Sequence, residues 1–148
     1  MPDIVTANKD WKSIANHNLF IVWQPSYNLG IPIIDEQHRG IVSTINSLCF
    51  AIQHRHGNDI LRPTIGVVKE YTRIHFENEE DFLQKCGYPD IKEHQELHKE
   101  LTDTLSRIGP KSIMDKDPQE FLAFLTNWWI DHICQKDQVF CNYVEKKR

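Results

Sequence analysis

Hydrophobic side chains recur at steps of three and four along four stretches of the chain, which is the period of an amphipathic helix. The four stretches predicted to be helical are residues 35–53, 60–86, 89–108 and 117 to the C-terminal basic residues. The sequence has no run with the strict alternation of a half-buried strand. The pattern therefore predicts an all-α protein.

Capping residues indicate where the first two helices begin and end. Asp35 is a suitable N-cap for the first helix, and Gly57 is expected to serve as its C-cap. Pro63 is expected in the first turn of the second helix, because proline disrupts a helix interior.

Helix breakers and a capping motif delimit the other two helices. Gly109 and Pro110 are expected to end the third helix, and residues 111–116 are expected to form a polar loop. Asp117, with Glu120 three residues later, has the pattern of a capping box that opens the fourth helix.

Four long helices joined by short loops predict an up-down-up-down antiparallel four-helix bundle. Residues 1–34 show no sustained period and contain several Pro and Gly residues, so they predict an irregular N-terminal arm. Its aromatic residues indicate that the arm packs on the bundle. The predicted organisation is a single domain of 148 residues, with the arm at 1–34 and the bundle at 35–148.

Composition narrows the classes of function. With 17 basic and 21 acidic residues the formal net charge is -4, which disfavours electrostatic binding of nucleic acid. No apolar run approaches the length of a membrane span or of a signal peptide. The four cysteines form no C-x-x-C pair, so a thiolate zinc site is disfavoured, and we expect a cytoplasmic protein with free thiols.

Residues that commonly bind metal occupy the hydrophobic faces of the predicted helices. Seven such residues lie there, at least one on each helix: His38, His75, Glu79, His94, His98, His132 and Asp137. Two pairs have the four-residue step that places both side chains on one face. In an antiparallel bundle all seven fall in one layer towards one end.

Asp137 fits this pattern least well. The five-residue step from His132 turns about 140° at 3.6 residues per turn, so Asp137 is expected to reach the layer from the flank. Other histidines are weaker candidates: His54 and His56 are interpreted as solvated loop residues, and His17 has no partner pattern. Cys141 is expected to serve packing.

Each of these positions alone is more often a hydrogen-bonded core residue than a ligand, but the set is different. Burying a polar group without a partner costs about 2–7 kcal/mol, and a domain is stable by only about 5–15 kcal/mol. Seven buried groups are therefore best explained if they share metal ions. The set exceeds what one tetrahedral zinc accepts and suits two metals, with iron, manganese and zinc all compatible with imidazole and carboxylate.

At this point the sequence resembles the hemerythrin family, and looks closest to its bacterial members. The match covers residues 23–143 and includes every candidate ligand. Its motifs are Trp23-x3-Tyr27, Gly30-Ile31-Pro32, Ile34-Asp35-x2-His38, His75-Phe76-x2-Glu79-Glu80, Gly87-Tyr88-Pro89, His94-x3-His98 and Trp128-x3-His132-Ile133-x3-Asp137.

The resemblance implies a non-haem di-iron centre with an oxo or hydroxo bridge. It implies that one iron is held by His94, His98 and His132 and the other by His38 and His75. It also implies that Glu79 and Asp137 bridge the two ions. The iron with two histidines would have an open position for O2, and small anions such as azide would bind the oxidised form.

The same matching implies that four apolar residues line the O2 pocket: Ile41, Phe76, Trp129 and Ile133. Here the chain departs from the family, which commonly has Trp-Leu where this chain has Trp128-Trp129. The larger side chain puts the size of the pocket in doubt. Trp129 could also turn towards the surface or the arm.

The resemblance implies reversible O2 binding, for storage, delivery or sensing, and the protein is expected not to be an enzyme. Two alternatives stay open at this stage. One is a di-iron oxidase, peroxidase or nitric-oxide reductase, and the other is the sensory domain of a longer signalling protein. The helix faces offer no carboxylate beyond Glu79 and Asp137, which favours binding over turnover. A protein partner is not identified.

Overall fold

The computed structural model describes residues 19–146, and the predictions that concern His17 and the first part of the arm lie outside them. Within this range the regular elements are helical and no strand occurs. They are a 3-10 turn (Pro25–Tyr27), α1 (Pro32–Gln53), α2 (Gly57–Lys85), α3 (Ile91–Met114), α4 (Pro118–Trp128), a π-helical segment (Trp129–Lys136) and α5 (Asp137–Lys146). The last three elements follow one another without a break and form the fourth rod of the bundle.

The rods pack in the order of the chain. α1 contacts α2, α2 contacts α3, α3 contacts α4, and α1 closes the ring against α4. Short connections between long helices make consecutive rods antiparallel. The predicted all-α four-helix bundle is confirmed. None of the described helices combines the length and apolar character that crossing a membrane requires.

Two hydrophobic clusters fill the interior, one on each side of the predicted metal layer. The smaller cluster contains Ile34, Leu83 and Phe140, whereas the larger one contains Ile41 and Val68. Along every rod the candidate ligands fall between residues of the two clusters. The polar layer is thus enclosed by apolar packing at both ends.

The described part of the arm is fastened to α1 and α4. The backbone N–H of Ile21 donates to Asn46 Oδ1 at 2.8 Å, and Asn46 Nδ2 donates to the Ile21 carbonyl at 2.8 Å. Trp23 lies between the Arg39 guanidinium, 4.7 Å from its ring, and the Trp129 ring, 5.8 Å away. The division into an arm at 1–34 and a bundle at 35–148 stays a prediction.

The first helix begins earlier than predicted. α1 starts at Pro32 with Ile31 as N-cap, so Asp35 is not the cap. Its carboxylate instead accepts the backbone N–H groups of Leu29 and Gly30, at 2.8 and 3.2 Å. This contact holds the end of the arm against the first turn, where Pro32 supplies a preset helical φ.

The turn between α1 and α2 also differs from the prediction. The left-handed residue is Arg55, with φ 63°, and Gly57 is the first residue of α2 rather than a C-cap. A Cβ on Gly57 would lie 2.8 Å from side-chain atoms of Ile52 and Pro118. Glycine is needed there for close approach of two helices. Pro63 is the seventh residue of α2 rather than part of its first turn, and it is exposed.

The third helix passes through the residues expected to end it. α3 continues across Gly109 and Pro110 to Met114, so most of the predicted loop is helical. A Cβ on Gly109 would lie 3.1 Å from Ile65 Cγ2, which shows how closely α2 approaches here. Packing of Ile113 on the larger cluster favours continuation over the local preference for a break.

The start of the fourth rod agrees with the predicted capping motif in part. The Asp117 carboxylate accepts the Glu120 N–H at 3.2 Å. The Glu120 carboxylate does not complete the box, because it accepts from Lys111 Nζ at 2.9 Å. This ion pair ties the end of α3 to the beginning of α4.

Candidate metal centre

The structure brings all seven predicted ligands into one buried cluster. Their exposed fractions range from 0% to 6%, the largest being that of His94. The potential ligand atoms form two groups, and within each group they lie within 4.8 Å of one another. Glu79 belongs to both groups.

The three-histidine group comprises His94, His98 and His132 around Glu79. Nε2 of His98 and Nε2 of His132 lie 3.2 and 3.7 Å from Glu79 Oε1. Nε2 of His94 contacts the same oxygen. Three imidazole nitrogens therefore converge on one side of this carboxylate.

The two-histidine group comprises His38 and His75 with Glu79 and Asp137. His75 Nε2 lies 3.2 Å from Glu79 Oε2, and His38 Nε2 lies 3.0 Å from Asp137 Oδ2. The two imidazole rings are 4.8 Å apart. α1 and α2 thus supply one group, whereas α3 and the π-helical segment supply the histidines of the other.

Each carboxylate presents one oxygen to each group. Glu79 turns Oε1 towards the three-histidine group and Oε2 towards His75. Asp137 turns Oδ2 towards His38 and Oδ1 towards His132 and His94, at 3.4 and 3.5 Å. A carboxylate shared in this way is able to join two neighbouring cations.

The π-helical segment corrects the prediction that Asp137 approaches from the flank. Residues Trp129–Lys136 wind with the wider π turn, in which hydrogen bonds run from i to i+5. His132 and Asp137 are five residues apart and therefore share a face, and both are buried. The five-residue spacing was itself the signal of a π turn, a feature that is frequent at functional sites.

The buried polar atoms of the cluster fit a metal better than they fit one another. Nε2 of His38, Nε2 of His75 and both carboxylate oxygens of Asp137 make no hydrogen bond to any residue within 19–146. The separation of 3.0 Å between His38 and Asp137 is short enough, but the angles are wrong for a hydrogen bond. Atoms aimed at a shared point, instead of at each other, have this geometry. Imidazole and carboxylate without thiolate suit iron, manganese or zinc.

Burial keeps two of the histidines neutral. Desolvation, reinforced by the neighbouring imidazole of His75, lowers the pKa of His38 to about 3. Desolvation also lowers the pKa of His132 to about 4, although Glu79 opposes the shift. Neutral imidazole is the form that binds metal, so the site is ready for a cation at neutral pH.

The two carboxyl groups have opposite pKa shifts. Burial alone would raise the pKa of Glu79, but the charge of His75 and the hydrogen bonds from His132, His75 and His94 hold it well below its ordinary value. Burial and then the negative charge of Glu79 raise the pKa of Asp137 well above its ordinary value. Two adjacent carboxylates without a cation repel each other, and a shared metal would relieve that repulsion.

Two outer residues that orient the histidines were not identified from the sequence. His75 Nδ1 donates to Gln37 Oε1 at 2.8 Å, and His98 Nδ1 donates to Glu80 Oε2 at 3.2 Å. Both bonds direct Nε2 of the ring towards the carboxylates. Gln37 is 7% exposed, and a buried glutamine next to His38 was the available signal. From its position one step off the helix face, Glu80 was expected to have little influence.

Aromatic rings cover the imidazoles. Phe76 stacks on His98, with ring centroids 3.8 Å apart and planes at 6°, and Trp128 lies parallel to His132 at 6.0 Å. Trp129 is 2% exposed and points inward, with its ring 6.2 Å from His38 and 5.3 Å from Tyr27. It therefore packs against both the arm and the two-histidine group.

The four predicted pocket residues are all buried in the larger hydrophobic cluster: Ile41, Phe76, Trp129 and Ile133. That they line an O2 pocket stays a prediction. The weaker candidates behave as expected. His54 and His56 are exposed, and Cys141 is a packing residue whose Sγ lies 3.1 Å from the Leu29 carbonyl oxygen.

Comparison with known proteins agrees with this geometry. The family model described as the hemerythrin HHE cation binding domain matches residues 29–144. The bacteriohemerythrin of Stenotrophomonas maltophilia is 30% identical over 84% of this chain and 82% of its own length. For the bacteriohemerythrin of Clostridium acetobutylicum the values are 30%, 80% and 97%. For a hemerythrin from Sipunculus nudus they are 30%, 76% and 83%. The chain belongs to the hemerythrin family.

Proposed function

We propose that this protein binds O2 reversibly at a non-haem di-iron centre bridged by two carboxylates. The observation that carries the proposal is the placement of Glu79 and Asp137, each with one oxygen in each histidine group. This arrangement provides for two cations side by side. The proposal takes the identity of the metal from membership of the hemerythrin family.

His94, His98 and His132 would hold one iron, and His38 and His75 the other. Glu79 and Asp137 would bridge them, together with an oxo or hydroxo group. With one imidazole fewer, the two-histidine side retains room for an exogenous ligand. Two ferrous ions bound here would supply the two electrons that reversible O2 binding requires.

The protein around the two-histidine group excludes water. Ile41 and Trp129 are 1% and 2% exposed, and Trp129 is covered in turn by Trp23 and Tyr27 of the arm. Gln37 fixes the orientation of His75 by its hydrogen bond. An apolar, closed wall protects bound O2 from displacement by water or anions.

The same surroundings favour binding over turnover. Among residues 19–146, the fully buried carboxyl groups are those of Glu79 and Asp137, and both are committed to the cluster. A reductase or oxidase that consumes protons needs a further donor beside the reacting ligand. We therefore propose a carrier or sensor of O2 and not a di-iron enzyme. The cytoplasmic compartment stays a prediction.

Repeated oxygenation tests the proposal. The iron-loaded protein is reduced anaerobically, exposed to O2 and then placed under vacuum, while its visible spectrum is recorded. We expect bands that appear and disappear over several cycles, and an azide complex once the iron is oxidised. Irreversible bleaching, or continuous consumption of an added reductant, would instead indicate an enzyme. Metal analysis of the same sample should find two irons per chain.

A further inference from the structure

A cavity of about 260 Å³ opens from the surface onto the three-histidine group. His94 lies in its wall, together with Tyr88, Asp90, Glu93 and Lys136. The cavity lies between the start of α3 and the end of the π-helical segment. It therefore connects solvent with a predicted ligand of the metal centre.

His94 differs from the other four imidazoles in its contact with this cavity. Its side chain is 6% exposed, the highest value among the predicted ligands. In the other four rings Nδ1 is either bonded to Gln37 or Glu80 or sealed from solvent without a partner, whereas Nδ1 of His94 is neither within the described residues. His94 thus directs Nε2 to the cluster and leaves its other nitrogen towards the cavity.

The mouth of the cavity carries two exposed carboxylates. Asp90 is the N-cap residue of α3, but its side chain makes no capping hydrogen bond. Together with burial, the negative charges of Asp90 and Glu93 raise the pKa of Tyr88. One cation, Lys136, stands in the same wall. Two acidic groups against one basic group attract a divalent cation.

We propose that this cavity is the route by which ferrous iron enters and leaves the centre, with Asp90 and Glu93 as its transient first binding place and His94 as the ligand that receives it. The inference rests on the proposed di-iron function. It gives the opening a purpose that O2 binding does not, because the opening lies beside the group that already has three imidazoles. Passage by one route in both directions means that the mouth controls loading and release alike.

Release of iron from the intact protein tests the route. The di-ferrous protein is mixed anaerobically with an excess of a chromogenic ferrous chelator, and the rate of iron release is followed. We expect the double variant Asp90→Asn/Glu93→Gln to release iron roughly three- to tenfold more slowly, with unchanged iron content. Glu96→Gln/Glu100→Gln is the matched control, since these residues are exposed on α3 and lie outside the cavity wall. It should release iron at the wild-type rate.

Two further variants separate charge from space. Lys136→Gln removes the opposing cation and should accelerate release, whereas Val139→Phe narrows the same cavity and should slow it. Equal rates in the wild type and in all three cavity variants would overturn the route. Equal slowing by the control pair would show a general charge effect and would also overturn it. Failure of the wild type to hold two irons would instead overturn the proposed function.

Discussion

The two histidine groups of the cluster are built differently, although they share Glu79 and Asp137. The three-histidine group is covered by stacked Phe76 and Trp128 and opens to solvent beside His94. The two-histidine group has fewer imidazoles, and both of its rings are 0% exposed. The group with more ligands is thus the one that tolerates water, and the group with room for another ligand is the one that is sealed.

This contrast has a physical reason. A metal whose positions are filled by protein gains nothing from a dry environment, and an opening beside it does little harm. A metal with a vacant position binds whichever small molecule reaches it, so apolar walls decide what arrives. The following predictions test how far the two groups depend on each other and on their surroundings.

Removal of the metal should have the largest effect, because both groups lose the ion that their buried atoms face. We expect the free energy of unfolding of the metal-free protein to be lower by about 5 kcal/mol or more. Circular dichroism during heating of the two forms measures the difference. An unchanged melting temperature, or a native protein that carries one zinc, would contradict this prediction.

Loss of a bridge should separate the groups. Glu79→Ala removes oxygens from both groups, so we expect loss of iron and of magnetic coupling between any ions that remain. Glu80→Ala removes only the outer bond to His98, and we expect a weakening of iron affinity by about 10- to 100-fold. Glu77→Ala, an exposed change on the same helix, is the control. Iron titration against a chelator measures all three, and equal loss in the Glu79 and Glu80 variants would show that Glu79 is not shared.

Acid should weaken the metal-free protein through one histidine of each group. The pKa values of His38 and His132 are about 3 and 4 in the fold, against an ordinary value of 6.5. Between pH 6.5 and 4 the unfolded chain therefore binds two protons that the native state refuses. The raised pKa of Asp137 opposes this by one proton. Stability should fall as the pH falls through this window, as urea denaturation at several pH values will show.

The smallest effect is expected from the two adjacent tryptophans, one on each group. Trp129→Leu enlarges the space beside His38 and should speed azide binding to the oxidised protein, with an altered rate of autoxidation. Trp128→Leu makes the same change beside His132 and should leave azide kinetics unaltered. Stopped-flow measurement of both variants decides the matter. Similar azide rates in the wild type and the Trp129 variant would mean that this side chain does not limit access.

The sequence alone was sufficient for the bundle and for the membership of the cluster. The period of three and four is a local property of each helix, and it placed seven ligand-type residues on buried faces. Antiparallel packing then required them to lie at one height. The resemblance to hemerythrins added the pairing of ligands with two ions, which the spacing could not supply.

Tertiary structure decided the features that depend on contacts between rods. Gly109 and Pro110 remain helical because α2 packs against them, and the π turn brings Asp137 onto the face of His132. The bonds from Gln37 and Glu80 depend on how neighbouring helices are rotated and how high they stand. A sequence specifies which face of a helix is apolar. Which atom on that face meets which partner is settled only when four faces pack together, since a shift of a fraction of a turn makes or breaks each contact.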